Sequence, residues 1–186
     1  MINTNEFRTG LTLLIEGEVY SIVEYEHVKP GKGSAFVRTK LRNLKTKAVI
    51  ERTYRAGEKF EEAFVEEKKL TFLYRSGDFF YFMDEETYEQ KALTKEDLRD
   101  SINYIKENTP VTVSYFNNEI ISVNPPTFVE LKVIYTEPGM KGDTAKSTYK
   151  PATLETGYTI QVPLFIQNGD IIKVDTRTGE YVARIG

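Results

Sequence analysis

The residues best placed to meet another molecule lie in Val28-Lys29-Pro30-Gly31-Lys32-Gly33-Ser34-Ala35-Phe36. Pro30 fixes one φ, Gly31 and Gly33 each permit a positive φ, and Lys32 stands between them, so a long cation is presented at the apex of a connection between two strands. Two uses compete: a solubilising lysine in a glycine-rich hairpin, or a cation offered to RNA phosphates. The setting tilts the reading toward RNA. Residues 27–55 hold nine basic side chains (Lys29, Lys32, Arg38, Lys40, Arg42, Lys45, Lys47, Arg52, Arg55) against Glu51 alone, and such a local excess attracts polyanions.

Other chemistries lack their residues. Gly31-Lys32 is followed by Gly33 rather than Ser or Thr, so there is no P-loop. His27 is the only imidazole and no Gly-x-Ser-x-Gly elbow occurs, which makes it a structural or RNA-facing residue rather than a general base. The absence of cysteine removes disulfides, thiolate metal sites and a cysteine nucleophile, and a single histidine removes multi-histidine cages. The adjacent carboxylates Glu61-Glu62 and Glu85-Glu86 are of a kind common on solvated surfaces. The expectation is a non-enzyme without cofactor or metal. Two alternatives from other classes stay open: a general single-strand RNA-binding protein using its 12 Tyr and 11 Phe as stacking platforms, and a hydrolase built on surface carboxylates.

The elements that position Lys32 read as strands. Leu11–Ile15, Glu18–Glu24, Ala35–Leu44 and Ala48–Tyr54 are short, β-branched or aromatic runs bounded by Gly, Lys or Pro, and fit one small barrel. Within Ala35–Leu44, period-two alternation puts Arg38, Lys40 and Arg42 on one face, which must be wet or bound to an anion. Lys69–Tyr74, the turn Arg75-Ser76-Gly77-Asp78 and Phe79–Met83 form a hairpin, as do Val111–Phe116 and Glu119–Val123 around Asn117-Asn118. One helix is predicted from Lys95 to about Lys106, capped by Thr94 with Glu96 and Asp97 in its first turn, and Pro110 stops anything further. Asn124-Pro125-Pro126 is a stiff boundary. Beyond it come strands at Phe128–Tyr135, Tyr158–Val162, Asp170–Asp175 and Glu180–Ile185, with a polar, flexible stretch at Glu137–Tyr149. Gly77-Asp78 and Gly169-Asp170 each precede an apolar strand ending in Asp, a weak internal echo. The expected fold is all-β, three small barrels in a row, at 1–63, 64–128 and 129–186. Their net charges are +2, −5 and 0, within a total of −3. The longest apolar run, Phe79–Met83, is far short of the ~20 residues a membrane helix needs. With no signal-like N-terminus, the default location is cytoplasmic.

At the Lys32 segment the sequence resembles bacterial elongation factor P. The likeness continues through Phe80-Tyr81-Phe82-Met83-Asp84-Glu85-Glu86-Thr87-Tyr88, Lys150-Pro151-Ala152-Thr153-Leu154-Glu155-Thr156-Gly157 and the run from Val162 to Tyr181. This resemblance implies an L-shaped, tRNA-like protein with an SH3-like (KOW-like) first domain and two OB-folds. It implies binding to both ribosomal subunits between the peptidyl and exit tRNA sites, and rescue of ribosomes stalled on consecutive prolines. Lys32, flanked by Lys29, Pro30, Gly31, Gly33 and Ser34, would reach toward the CCA end of the peptidyl tRNA and receive a modification from a lysine-modifying enzyme. Gly142-Asp143-Thr144 would lie near messenger RNA at the exit site. Arg38, Lys40 and Arg42 are the expected grip on tRNA or rRNA backbone, and the protein is expected to act as a monomer away from membranes.

Overall fold

The computed structural model describes residues 1–139 and 148–186. The expected messenger-RNA loop, Gly142-Asp143-Thr144, lies outside the described residues.

The first sheet contains β1 (Ile2–Asn3), β2 (Thr12–Ile15), β3 (Glu18–Val28), β4 (Phe36–Asn43), β5 (Val49–Arg55) and β6 (Lys59–Glu62), in the order β1-β6-β2-β3-β4-β5. It coils around Phe7, Leu11, Leu13, Ile22, Val37, Leu41 and Phe60. Phe60 stacks edge-on with Tyr54 at 4.7 Å, so the short β6, which the sequence reading left unassigned, covers the core beside β5. Reversal between β2 and β3 uses Glu16 and Gly17, both at positive φ (52° and 80°), a two-residue turn whose twist suits the strands it joins.

The second sheet contains β7 (Glu66–Ser76), β8 (Phe79–Asp84), β9 (Gln90–Thr94), β10 (Pro110–Phe116) and β11 (Glu119–Asn124), ordered β11-β10-β7-β8-β9. The helix predicted over 95–106 is much shorter. Thr94 caps the helix as expected, and Asp97 bonds back to it to complete a reciprocal cap, but α1 runs only Lys95–Leu98 before Arg99 turns to φ +50°, and a 3-10 segment, Arg99–Asn103, follows. The reason is tertiary. Tyr104 is drawn into the core of the third sheet, the Asn103 carbonyl accepts from Thr156 Oγ1 at 2.7 Å, and Lys106 pairs with Glu155 at 3.2 Å. These contacts outweigh the modest helix propensity of a segment with one polar and one apolar end.

The third sheet contains β12 (Phe128–Thr136), β13 (Tyr149–Leu154), β14 (Thr159–Pro163), β15 (Ile171–Asp175) and β16 (Glu180–Arg184), ordered β14-β13-β12-β15-β16. Its edge strands β14 and β16 approach one another, giving a barrel-like closure over Leu131, Val133, Leu154, Val162, Ile166, Ile172 and Val174. The start of β13 falls at the end of the stretch expected to be polar and flexible. Lys150 is nevertheless buried there, its ammonium donating to the Glu137 carbonyl, and Thr136 Oγ1 donates to Pro151 O at 2.8 Å.

All three sheets use the same turn. Asn43, Asp84 and Asp175 each end a strand and accept a backbone N–H from two residues on: Lys45 N at 2.9 Å, Glu86 N at 2.8 Å and Arg177 N at 2.9 Å. Three positions later Thr46, Thr87 and Thr178 accept from Ala48 N, Glu89 N and Glu180 N. The residue between, Lys47, Tyr88 or Gly179, sits at positive φ (67°, 62° and 77°) and donates back to the first residue's carbonyl. The echo between the second and third sheets is therefore a shared Asx turn, and the first sheet repeats it. Bonds from backbone N–H groups, first those of Glu86 and Thr87, hold the Asp84 carboxyl below the usual carboxylate range. Arg177 does the same for Asp175.

By compactness the chain divides into two units, Met1–Glu67 with Ser114–Ser122, and Lys68–Val113 with Val123–Gly186.

Candidate functional site

The β3–β4 ladder runs from Tyr20↔Asn43 out to Val28↔Phe36, with Ile22, Leu41 and Val37 along it contributing to the core. β5 pairs with β4 over the same length, as far as Phe36↔Arg55, so the arm is three-stranded up to its tip. Residues 29–35 form its tip, tied at the base by Ala56 N donating to Ala35 O at 3.1 Å. Pro30 is half-buried, whereas Lys29, Gly31, Lys32, Gly33 and Ser34 are exposed. Only one of the two glycines uses the conformation expected of both: Gly33 has φ +98°, and Gly31 has no positive φ. A Cβ at Gly31 would meet nothing within 4 Å, so that position is free of packing as well as strain. Lys32 makes no hydrogen bond or ion pair with any described residue. The tip is thus a shaped backbone carrying an unengaged cation.

Along β4, burial alternates as expected: Val37, Thr39, Leu41 and Asn43 are buried, while Arg38, Lys40 and Arg42 lie on the outward face. That face also carries acids from the neighbouring strands. The partner strand β3 contributes Glu24 opposite Lys40 and Glu26 opposite Arg38, and β5 places Glu51 on the other side of Lys40. Lys40 Nζ contacts Glu24 Oε2 at 3.1 Å with both side chains largely in solvent, and the Arg38 guanidinium lies 5.4 Å from the Phe36 ring centre. Such exposed pairs contribute about 0–1 kcal/mol each. Arg38 and Arg42 form no salt bridge with a described residue. The two glutamates escaped the sequence reading because they precede the basic run in sequence and join it only through strand pairing. His27 is exposed and meets Tyr25 edge-on at 5.8 Å. Among the described residues it has no hydrogen bond or ion pair to a carboxylate.

Among the described residues, no cluster of three or more His, Asp or Glu side chains could hold a metal ion, and no helix is long and apolar enough to cross a membrane.

Comparison with solved structures places this architecture among translation factors. The chain matches the structure titled eukaryotic translation initiation factor 5A from Methanococcus jannaschii at TM-score 0.50 and 25% identity, over 66% of this chain and 92% of that one. A translation initiation factor eif-5a family protein from Naegleria fowleri shares the fold at TM-score 0.54 and 14% identity, over 66% of this chain and 96% of that one. The class is therefore an all-β translation factor. Residues 3–60 match the elongation factor P (EF-P) KOW-like domain, 65–123 the elongation factor P (EF-P) OB domain, and 129–184 the elongation factor P C-terminal domain. Proteins named elongation factor P from Carboxydothermus hydrogenoformans and Moorella thermoacetica are each 59% identical, over 100% and 99% of this chain and 100% of the relatives. The chain belongs to the elongation factor P family and is a translation elongation factor.

Proposed function

We propose that this protein binds the ribosome between the peptidyl-tRNA and exit sites and promotes peptide-bond formation at consecutive prolines by helping to position the CCA end of the peptidyl tRNA. The observation that carries this reading is Lys32: an exposed, unengaged ammonium at the apex of a paired arm whose backbone shape is set by Pro30 and Gly33. A chain with no nucleophile or metal of its own can still lower a barrier, because ordering reactants held elsewhere is worth several kcal/mol. Proline restricts the nascent chain, so a misaligned peptidyl tRNA is the fitting target, and the bond-making chemistry stays with the ribosome.

In this reading the chain works in the cytoplasm as a monomer of three domains, residues 1–63, 64–128 and 129–186. Lys29, Pro30, Gly31, Gly33 and Ser34 shape the tip. Arg38, Lys40 and Arg42 hold tRNA or rRNA phosphates, and Gly142, Asp143 and Thr144 meet messenger RNA. A lysine-modifying enzyme extends Lys32. The test is Lys32→Ala in a translation system lacking the native protein. Thermal stability should be unchanged, because an exposed tip residue has few contacts to lose, while yield of a polyproline reporter falls sharply and a proline-free control does not. Equal polyproline yield would remove the assignment.

A further inference from the structure

The arm has a second face, and a β-bulge decides what it displays. Between Ile22 and Glu24 the β3–β4 register shifts by one residue. Continued in register, Ile22 would be followed on the core side by Glu24 and Glu26. After the bulge, Tyr25 lies opposite Thr39 and His27 opposite Val37, so these two rings take the core side while both glutamates are moved outward against Lys40 and Arg38. Extending the rows across β5 gives Tyr25, Thr39, Arg52 and His27, Val37, Tyr54 on this face. Neither row contains a carboxylate.

The centre of this face, Thr39 and Val37, is buried, while the longer side chains on either side of it reach solvent. Tyr25 is 38% exposed, and His27 and Arg52 are both exposed. Burial raises the pKa of Tyr54; among the charges acting on it Arg52 has the largest single effect and lowers it, while Glu58, Tyr20 and Glu16 raise it. Arg52 has one donor engaged locally, Nη1 to the Glu51 carbonyl at 3.3 Å, and its other N–H groups remain for a ligand.

We propose that Tyr25, His27 and Arg52 form an RNA-binding face on the same arm as Lys32, on which an unpaired base stacks against the Tyr25–His27 pair while its adjoining phosphate meets Arg52. Aromatic rings beside a guanidinium and without acids suit a nucleotide better than an apolar or basic peptide: every base has a π-face to stack, and the guanidinium fork matches phosphate oxygens. The proposal rests on the reading that the arm enters RNA, and supplies that arm with a contact independent of its tip.

The test is an NMR titration of the full chain with a short unstructured oligoribonucleotide up to millimolar concentration. Shifts are expected at Tyr25, His27, Thr39 and Arg52. Tyr25→Phe and His27→Phe should retain affinity, whereas Tyr25→Leu, with its fold verified by the same spectra, should weaken it roughly tenfold. Arg52→Gln should lower the salt dependence by about one phosphate contact. Lys32→Ala should leave the Tyr25 and His27 shifts in place. Absence of shifts at millimolar RNA, shifts confined to the Glu24 and Lys40 face, or equal binding by the Phe and Leu variants would overturn the proposal. None of those outcomes alters the polyproline test of Lys32, and a normal reporter yield from Lys32→Ala would remove the tip assignment while leaving this titration intact.

Discussion

The tip of the β3–β4 arm and the turn between β15 and β16 are both glycine-bearing connections between antiparallel strands, yet their surroundings are opposite. At the tip, a Cβ on Gly31 would meet nothing and one on Gly33 only Pro30 Cγ at 4.0 Å. In the other turn a Cβ on Gly179 would lie 3.1 Å from the Tyr104 hydroxyl and 3.2 Å from that of Tyr158. Arg177 is held there by Asp175 through two side-chain bonds at 3.1 and 2.9 Å, whereas Lys32 is held by no described residue. One turn ties its charged side chains to each other and lies against Tyr104 and Tyr158, and the other carries a cation with no partner among the described residues.

The largest effect that would break this contrast is steric. Gly179→Val should destabilise by about 2–3 kcal/mol, combining strain at φ +77° with displacement of the two tyrosines, while Gly31→Ala should stay within about 0.5 kcal/mol. Denaturant unfolding of the two variants measures the difference. Comparable losses would mean that the tip is packed after all.

The shared Asx turn sharpens the comparison further. Lys47 occupies in the first sheet the left-handed position that Gly179 occupies in the third. Lys47→Gly should therefore stabilise by up to ~1 kcal/mol, since a side chain there costs about 1–2 kcal/mol and glycine returns part of that as chain entropy. A loss of stability on the same substitution would show that the Lys47 side chain makes a compensating contribution.

The same junction predicts two pH limits. Burial, then the neighbouring Tyr158, pushes the Tyr104 hydroxyl up to about 12. A folded-state pKa above the unfolded value near 10 supplies stability that is complete below pH 10 and is lost as pH rises toward 12. Tyr104→Phe should flatten the stability profile over that alkaline window. The lowered carboxyls of Asp84 and Asp175 act in the other direction: their contribution is present above the unfolded value of 3.8 and disappears as pH falls below it. Asp175→Asn should reduce the acid-side slope, measured by thermal melts across pH. Unchanged slopes in both variants would detach these groups from stability.

The smallest expected effect concerns the outward face of the arm. Arg38→Gln and Arg42→Gln should each lower the salt slope of ribosome association by about one, whereas Lys40→Gln should change it less, because Glu24 already pairs with Lys40 at 3.1 Å. Equal slopes for all three variants would mean that the Glu24 pair opens on binding.

Much of the strand content was legible because half-buried strands write their alternation into local sequence: β4 follows its reading residue by residue, and Thr94 capped α1 as expected. The strands β6, β9 and β13 were not legible. Each is short and polar enough that its neighbours, rather than its own pattern, hold it in place, as Pro151 and buried Lys150 show. The helix after Thr94 was overestimated for a related reason: local propensity favours it slightly, but the pull of Tyr104 into another sheet's core is stronger.

For the candidate site, local sequence determined the glycine-flanked Lys32, the cation-bearing face of β4 and the lack of any cysteine, since composition and short-range spacing suffice for each. Only the tertiary structure decided which charges oppose one another. Glu24 and Glu26 join Arg38 and Lys40 through pairing across a hairpin, and a single bulge selects which side chains of β3 face outward. Strand pairing is a long-range contact whose register depends on the packing of the whole barrel, so a one-residue shift that reverses two faces leaves no mark in any local window.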